Sequence, residues 1–269
     1  MTMLRPAAVA GRFYPGDPAE LRRAVQEYAG GAADKSPAIA CIVPHAGYIY
    51  SGAVAGQVYR SLKIPRRVLL LGPRHFPRGE ALAILSEGAW KTPLGDAKID
   101  ERLAAEIKRA FPLLREDEVA HSAEHSLEVQ LPFLQTLCGD FEFVPVVLGT
   151  DRLETLEALG SAIAKVVAAQ RDPVLIVTSS DMNHYENDAI TRVKDRLAID
   201  KILALDPRGL HEVVREKGIS MCGYAPTVAM LVAARELGAK RAELIAYSTS
   251  AEVSGDRDWV VGYAGVIVS

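Results

Sequence analysis

The apolar positions of this chain alternate between two rhythms. Near-unbroken apolar runs at 38–43, 68–71, 141–148 and 174–178 have no polar face, as expected of parallel strands covered on both sides. Between them apolar residues recur three and four apart, which predicts helices at about 53–62, 100–110, 126–137 and 153–169. Further helices are predicted at about 18–28, 189–205, 207–217 and 225–237, and further strands at 82–85, 242–247 and 260–268. Asp100 is placed to cap the helix that follows it, and Pro132 to kink or restart the one it interrupts.

Strand–helix alternation predicts an α/β fold, a mostly parallel central sheet with helices on both faces. The final strand follows its neighbour through a short loop and is expected to run antiparallel to it. The one linker-like stretch, 30–37, leaves too little chain ahead of it for a domain. Residues 1–269 are therefore expected to form a single domain.

Composition narrows the function classes. Hydrophobic residues make up 49% of the chain, enough for one sizeable core. Formal net charge is −3 and no basic block occurs, which argues against a nucleic-acid or anionic-membrane partner. No apolar stretch approaches the roughly 20 residues that span a bilayer, and Met1-Thr-Met-Leu-Arg-Pro6 lacks the apolar core of a secretory leader. Three well-separated cysteines, Cys41, Cys138 and Cys222, fit a reducing compartment, so a cytoplasmic location is expected.

Three apolar runs end in an abrupt polar turn that carries a histidine. They are Ile39-Ala-Cys-Ile-Val-Pro-His45, Val68-Leu-Leu-Leu-Gly-Pro-Arg-His75 and Val174-Leu-Ile-Val-Thr-Ser-Ser-Asp-Met-Asn-His184. Open α/β sheets place their ligand crevices beyond the carboxyl ends of the strands, so this placement points to a metal site. After His45, Tyr48 and Tyr50 supply hydroxyls toward a ligand, and Gly47 and Gly52 permit tight backbone turns. The stretch 179–186 crowds hydroxyls, carboxylates, an amide and an imidazole too densely for a helix cap alone. Within it Asp181 and His184 suit an acid–base pair, or a carboxylate orienting an imidazole.

His121-Ser-Ala-Glu-His-Ser-Leu-Glu128 accommodates two readings. One is a site wall, and the other a helix start capped by Ser122 or Ser126 with Glu128 in its first turns. His121 and His125 share a helix face only if the helix already includes His121. Cys222 precedes a helix whose dipole is expected to favour its thiolate, as a nucleophile or soft-metal ligand needs. Cys41 and Cys138 read as small buried hydrophobes, and His211 as a helix surface residue. P-loop, Gly-x-Gly-x-x-Gly and Gly-x-Ser-x-Gly patterns are absent, so nucleotide binding and α/β-hydrolase chemistry lack their markers.

Taken together these motifs resemble the Memo family, called AmmeMemoRadiSam system protein B in prokaryotes. The resemblance spans nearly the whole chain: Ala10-Gly-Arg-Phe-Tyr-Pro15, Pro44-His-Ala-Gly-Tyr-Ile-Tyr-Ser-Gly52, Gly72-Pro-Arg-His75, Thr92-Pro-Leu-Gly95, Glu124-His-Ser-Leu-Glu-Val-Gln-Leu-Pro132, Ser179-Ser-Asp-Met-Asn-His184 and Cys222-Gly. The family's fold is similar to that of the class III extradiol dioxygenases, catechol-cleaving enzymes with non-haem iron. The resemblance implies His45, His75 and Cys222 as ligands of one transition-metal ion, which is iron, copper or zinc. It places His184 and Asp181 beside them, with Glu124 and His125 in the pocket wall. Two departures stand out: Arg74, where the family commonly has Ser or Asn, and Phe76, where animal relatives carry a second histidine.

A thiolate in place of the dioxygenases' carboxylate shifts metal preference toward copper or zinc, so ring cleavage does not follow from the fold. The expected activity is a metal-dependent oxidoreductase reaction on a small substrate. In it His184 is the general acid–base, Asp181 orients it, and Tyr48 or Tyr50 touches substrate. One alternative is a peptide- or protein-binding module using the same pocket, with Arg74 pairing an anionic group. The other is a scaffold among radical-SAM pathway partners.

Overall fold

The computed structural model describes residues 3–31 and 33–269, and in it the apolar runs become the middle of a 12-stranded sheet. Met1 and Thr2 of the opening stretch, and Ala32 of the linker at 30–37, lie outside the described residues. In chain order the first half comprises β1 (Leu4–Arg5), α1 (Pro18–Tyr28), β2 (Ala40–Val43), α2 (Tyr48–Arg60), β3 (Arg67–Pro73), β4 (Leu82–Ile84), β5 (Ala89–Thr92), β6 (Gly95–Ile99), α3 (Glu101–Ala110), β7 (Arg115–Glu116), α4 (Glu118–Ser122) and α5 (Leu131–Leu137). The second comprises β8 (Glu142–Leu148), α6 (Leu153–Ala168), β9 (Val174–Ser179), β10 (His184–Glu186), α7 (Asp188–Leu203), α8 (Pro207–Glu216), α9 (Tyr224–Glu236), β11 (Ala242–Thr249), α10 (Ala251–Ser254) and β12 (Val260–Val268).

Strands run in the order β1-β5-β6-β8-β3-β9-β2-β12-β10, with β11 also paired to β12. The central four, β8-β3-β9-β2, are all parallel, and every residue of β2 and β9 is buried, which is why they read as unbroken apolar runs. Antiparallel pairing is confined to the margins: β12 runs against β2, β10 and β11, β5 against β6, and β4 against β8. The crossover from β2 to β3 and that from β8 to β9 run in opposite senses along the sheet. With the usual right hand this puts their helices on opposite faces. Accordingly α2 packs with α1 and α5, while α6 packs with α3 and α9.

Most predicted elements form within a few residues of their expected bounds, and the last two strands pair antiparallel as expected. Helix α2 begins at Tyr48 rather than near residue 53, because Gly47 turns the chain directly into it. Pro132 restarts its helix instead of kinking it. A 3-10 turn at Glu128–Gln130 precedes α5, and Pro132 lies in the first turn, where its missing N–H leaves no bond unmade. No helix among the described residues is long and apolar enough to cross a membrane.

Candidate metal centre

Because β3, β9 and β2 are neighbours, their carboxyl ends bring three polar turns together: Arg74-His75, Ser180-Asp181 and Pro44-His45. The turn after α4 adds His125. One donor atom from each of His45, His75 and His125 lies within 4.8 Å of the others. Ring centroids are 5.0 Å apart for His45 and His75, 5.5 Å for His45 and His125, and 4.5 Å for His75 and His125. His45 forms the floor at 2% exposure, while the His75 and His125 side chains are 27% and 17% exposed. The cluster therefore opens to solvent on the His75 side.

Each ring is held from behind. The His45 amide donates to Asp181 Oδ1 at 2.7 Å, and its Nδ1 lies 2.9 Å from Ser179 Oγ. For His75, both the amide and Nδ1–H donate to the Glu124 carboxylate, at 2.7 and 2.8 Å. Such carboxylate–histidine pairs fix ring orientation at metal sites. His125 is held by contact, its ring stacked on His75 and 4.8 Å from Phe13. Two glycines permit these approaches: a Cβ on Gly72 would lie 2.7 Å from Ser126 Oγ, and one on Gly223 would lie 2.5 Å from the Ser179 carbonyl.

Protonation follows from burial and neighbours. Burial, then the charges of His75, His125 and His184, push His45 well below the usual imidazole range. Burial and then His75 lower His125 to about 4. For Glu124, burial, which raises its pKa, is outweighed by hydrogen bonds from His75 and Ser126, leaving it at about 2. His45 and His125 are thus neutral imidazoles, the form that binds metals, while the carboxylate behind His75 stays ionised.

Cys222 touches one member of the cluster, His45: its Sγ lies 3.1 Å from Nε2 and accepts the Asp181 amide at 3.3 Å. The three donors within 4.8 Å of one another are the imidazoles, with His125 in the place expected for the thiolate. The expectation that the helix dipole favours its thiolate is corrected here. Burial, and then the Asp181 charge, push the thiol pKa up, and α9 starts two residues later without a side-chain cap. The Asp181 carboxyl is raised by burial, against the lowering effect of the His45 amide. Asp181 does not orient His184. Its Oδ1 accepts the amides of His45 and Ala46, and His184 instead donates Nδ1–H to the Ser220 carbonyl at 3.0 Å.

Other expected residues are placed as follows. Tyr48 is buried and donates to the Val129 carbonyl at 2.7 Å. Tyr50 is half-buried and lines a groove of about 470 Å³ with Phe13, Tyr28 and Gly47, adjoining the cluster. Arg74 donates to the Gly79 carbonyl at 2.7 Å. His121 diverges from His125 because α4 ends at Ser122; it is fully buried and bonds the Asp117 carbonyl. The resemblance placed His125 with Glu124 in the pocket wall; what sequence reasoning missed is that its imidazole joins His45 and His75 as a third donor. Cys41 is fully buried and Cys138 half-buried, and His211 bonds the Asp151 carbonyl at the surface.

The sequence pattern of the Memo-like protein family matches residues 5–267. A MEMO1 family protein of Methanopyrus kandleri is 41% identical over 279 residues, covering 98% of this chain and 99% of that one. One from Sulfolobus acidocaldarius is 40% identical over 281 residues, with 98% and 99% covered. An uncharacterized protein of Escherichia coli K12, JW3007, has a crystal structure that matches with a TM-score of 0.57 at 14% identity, covering 83% of this chain and 98% of that one, a likeness of fold. With its family pattern and near full-length relatives, the chain belongs to the Memo family.

Proposed function

We propose that this protein holds one transition-metal ion at the His45–His75–His125 cluster and uses it in an oxidoreductase reaction on a small substrate. The observation that carries this reading is three imidazoles, drawn from distant stretches of chain, with donor atoms within 4.8 Å of one another at the strand ends. The donor chemistry fits: His75 commits Nδ1 to Glu124, so Nε2 is its available donor, and His45 and His125 are held neutral. Cys222, against His45 Nε2, is positioned to join as a sulfur donor, in keeping with iron, copper or zinc. When bound, the ion supplies Lewis-acid or one-electron chemistry. His184 donates through Nδ1 to Ser220, which leaves Nε2 to accept a proton from substrate. Arg74, one guanidinium nitrogen on Gly79, keeps further donors for an anionic group.

A second reading, a ligand-binding pocket without turnover, draws on the aromatic groove of Phe13, Tyr28 and Tyr50 beside the cluster. Metal content tests the first. Protein purified anaerobically in the presence of iron, copper or zinc should carry about one equivalent per chain by elemental analysis, and His45→Ala should lose it. Parent protein that carries none of the three under these conditions excludes the metal reading and leaves the second.

A further inference from the structure

We propose that Ser179, itself held by Gln130, is the positioning residue that fixes His45 in its Nδ1–H tautomer and so keeps Nε2 bare; its use rests on the metal-binding role proposed above for His45. Which ring nitrogen carries the proton is set by the hydrogen bond the other makes. Ser179 Oγ has three polar neighbours: the Ser126 carbonyl at 2.7 Å, Gln130 Nε2 at 2.9 Å and His45 Nδ1 at 2.9 Å. A carbonyl only accepts, so it takes the single hydroxyl hydrogen. Gln130 cannot be reversed, because its Nε2 also donates to the Pro44 carbonyl at 3.0 Å while Tyr59 donates to its Oε1 at 3.0 Å. Gln130 therefore fills one Ser179 lone pair as a donor, and the remaining lone pair requires an N–H from His45.

Turning the hydroxyl toward His45 instead would leave the Ser126 carbonyl with only a 3.5 Å contact from Gln130. Water does not arbitrate, since His45, Ser126, Ser179 and Gln130 are 2% exposed or less. The bare Nε2 then faces Cys222 Sγ at 3.1 Å as an acceptor, the thiol's other acceptor being the Asp181 carbonyl at 3.6 Å. In the other tautomer a ring hydrogen would occupy that direction, and no metal could bond there. Gln130 also anchors the carbonyl of the residue preceding His45, so one amide side chain steadies both the ring's partner and its backbone.

The test reads the ring directly. In metal-free, isotope-labelled full-length protein, proton–nitrogen correlation spectra should show His45 protonated at Nδ1 and bare at Nε2. Ser179→Ala should move the proton wholly or partly to Nε2 and weaken zinc binding about 10- to 100-fold. Thr178→Ala should change neither, because that hydroxyl is buried one residue earlier on β9 with no partner. A parent His45 protonated at Nε2 overturns the proposal, as does a Ser179→Ala protein whose tautomer is unchanged. If Ser179→Ala does not fold, the parent spectrum decides. A parent that shows the expected tautomer yet binds no metal would remove the metal reading and leave this assignment standing.

Discussion

Glu124 and Glu128 stand four residues apart, both fully buried, and do different work. Glu124 backs His75. Glu128 accepts from Arg5 Nη1 at 2.6 Å, from the Ala8 and Val9 amides at 2.8 and 3.0 Å, and from the Tyr14 hydroxyl at 2.7 Å. Arg5 in turn donates to the His121 and Glu124 carbonyls and lies 3.9 Å over the Trp90 ring. The segment from Arg5 to Tyr14 is thereby pinned to the turn that carries Glu124 and His125. Glu128→Ala strands the Arg5 charge in the interior and should lower unfolding free energy by about 3–5 kcal/mol in denaturant titration. A loss under about 1 kcal/mol would mean that Arg5 finds another partner. Sequence made the polarity of 121–128 visible and left its two readings open. It carried no sign of Arg5, because a partner more than a hundred residues away leaves no local spacing.

At the scale of elements, the connection from β9 into α7 is secured from below by Asp195. Its carboxyl accepts the Asn183 amide and the Tyr247 hydroxyl, each at 2.7 Å, and makes no ion pair among the described residues. Burial outweighs those bonds and the Arg192 charge, and lifts its pKa from 3.8 to about 7. Unfolding lowers that value, so the folded chain keeps a proton that the unfolded chain releases. The stabilisation is fully present below about pH 4 and is lost as pH rises through about 7. Asp195→Asn keeps an acceptor for Asn183 and removes the charge. It should exceed the parent in stability above pH 8 by on the order of 4 kcal/mol, the gap closing toward pH 4. Denaturant midpoints measured across that range check it, and a gap that does not change with pH would refute the assignment. Strands and helices with long regular patterns were legible here. Strand β10 was not, because its three residues include Tyr185 at φ 61, an irregular pairing that apolar periodicity does not register. The β5–β6 hairpin was also missed, since its solvent-facing residues dilute the apolar signal.

For the whole molecule, sheet order decides where chemistry can occur. Alternation in the sequence implied parallel strands, and polar turns after them implied a site at their carboxyl ends. Strand order was beyond it, and order is what makes β3, β9 and β2 adjacent. The same gap explains His125: a turn outside the sheet supplies it, and only packing of that turn on Gly72 brings it in. A ligand that binds only the folded chain raises stability by mass action. Zinc at a hundredfold excess over its Kd should therefore raise unfolding free energy by about 2.7 kcal/mol, with no rise for His45→Ala. Thermal or chemical unfolding with and without the ion measures it.

The cluster draws on residues 45, 75 and 125, with supports from 179 and 222, so it is complete only after several distant segments have docked. Closing long loops is slow compared with forming helices. During refolding, recovery of tight zinc uptake should accordingly lag the return of helical signal, which makes chelation kinetics a clock for the last stages of assembly.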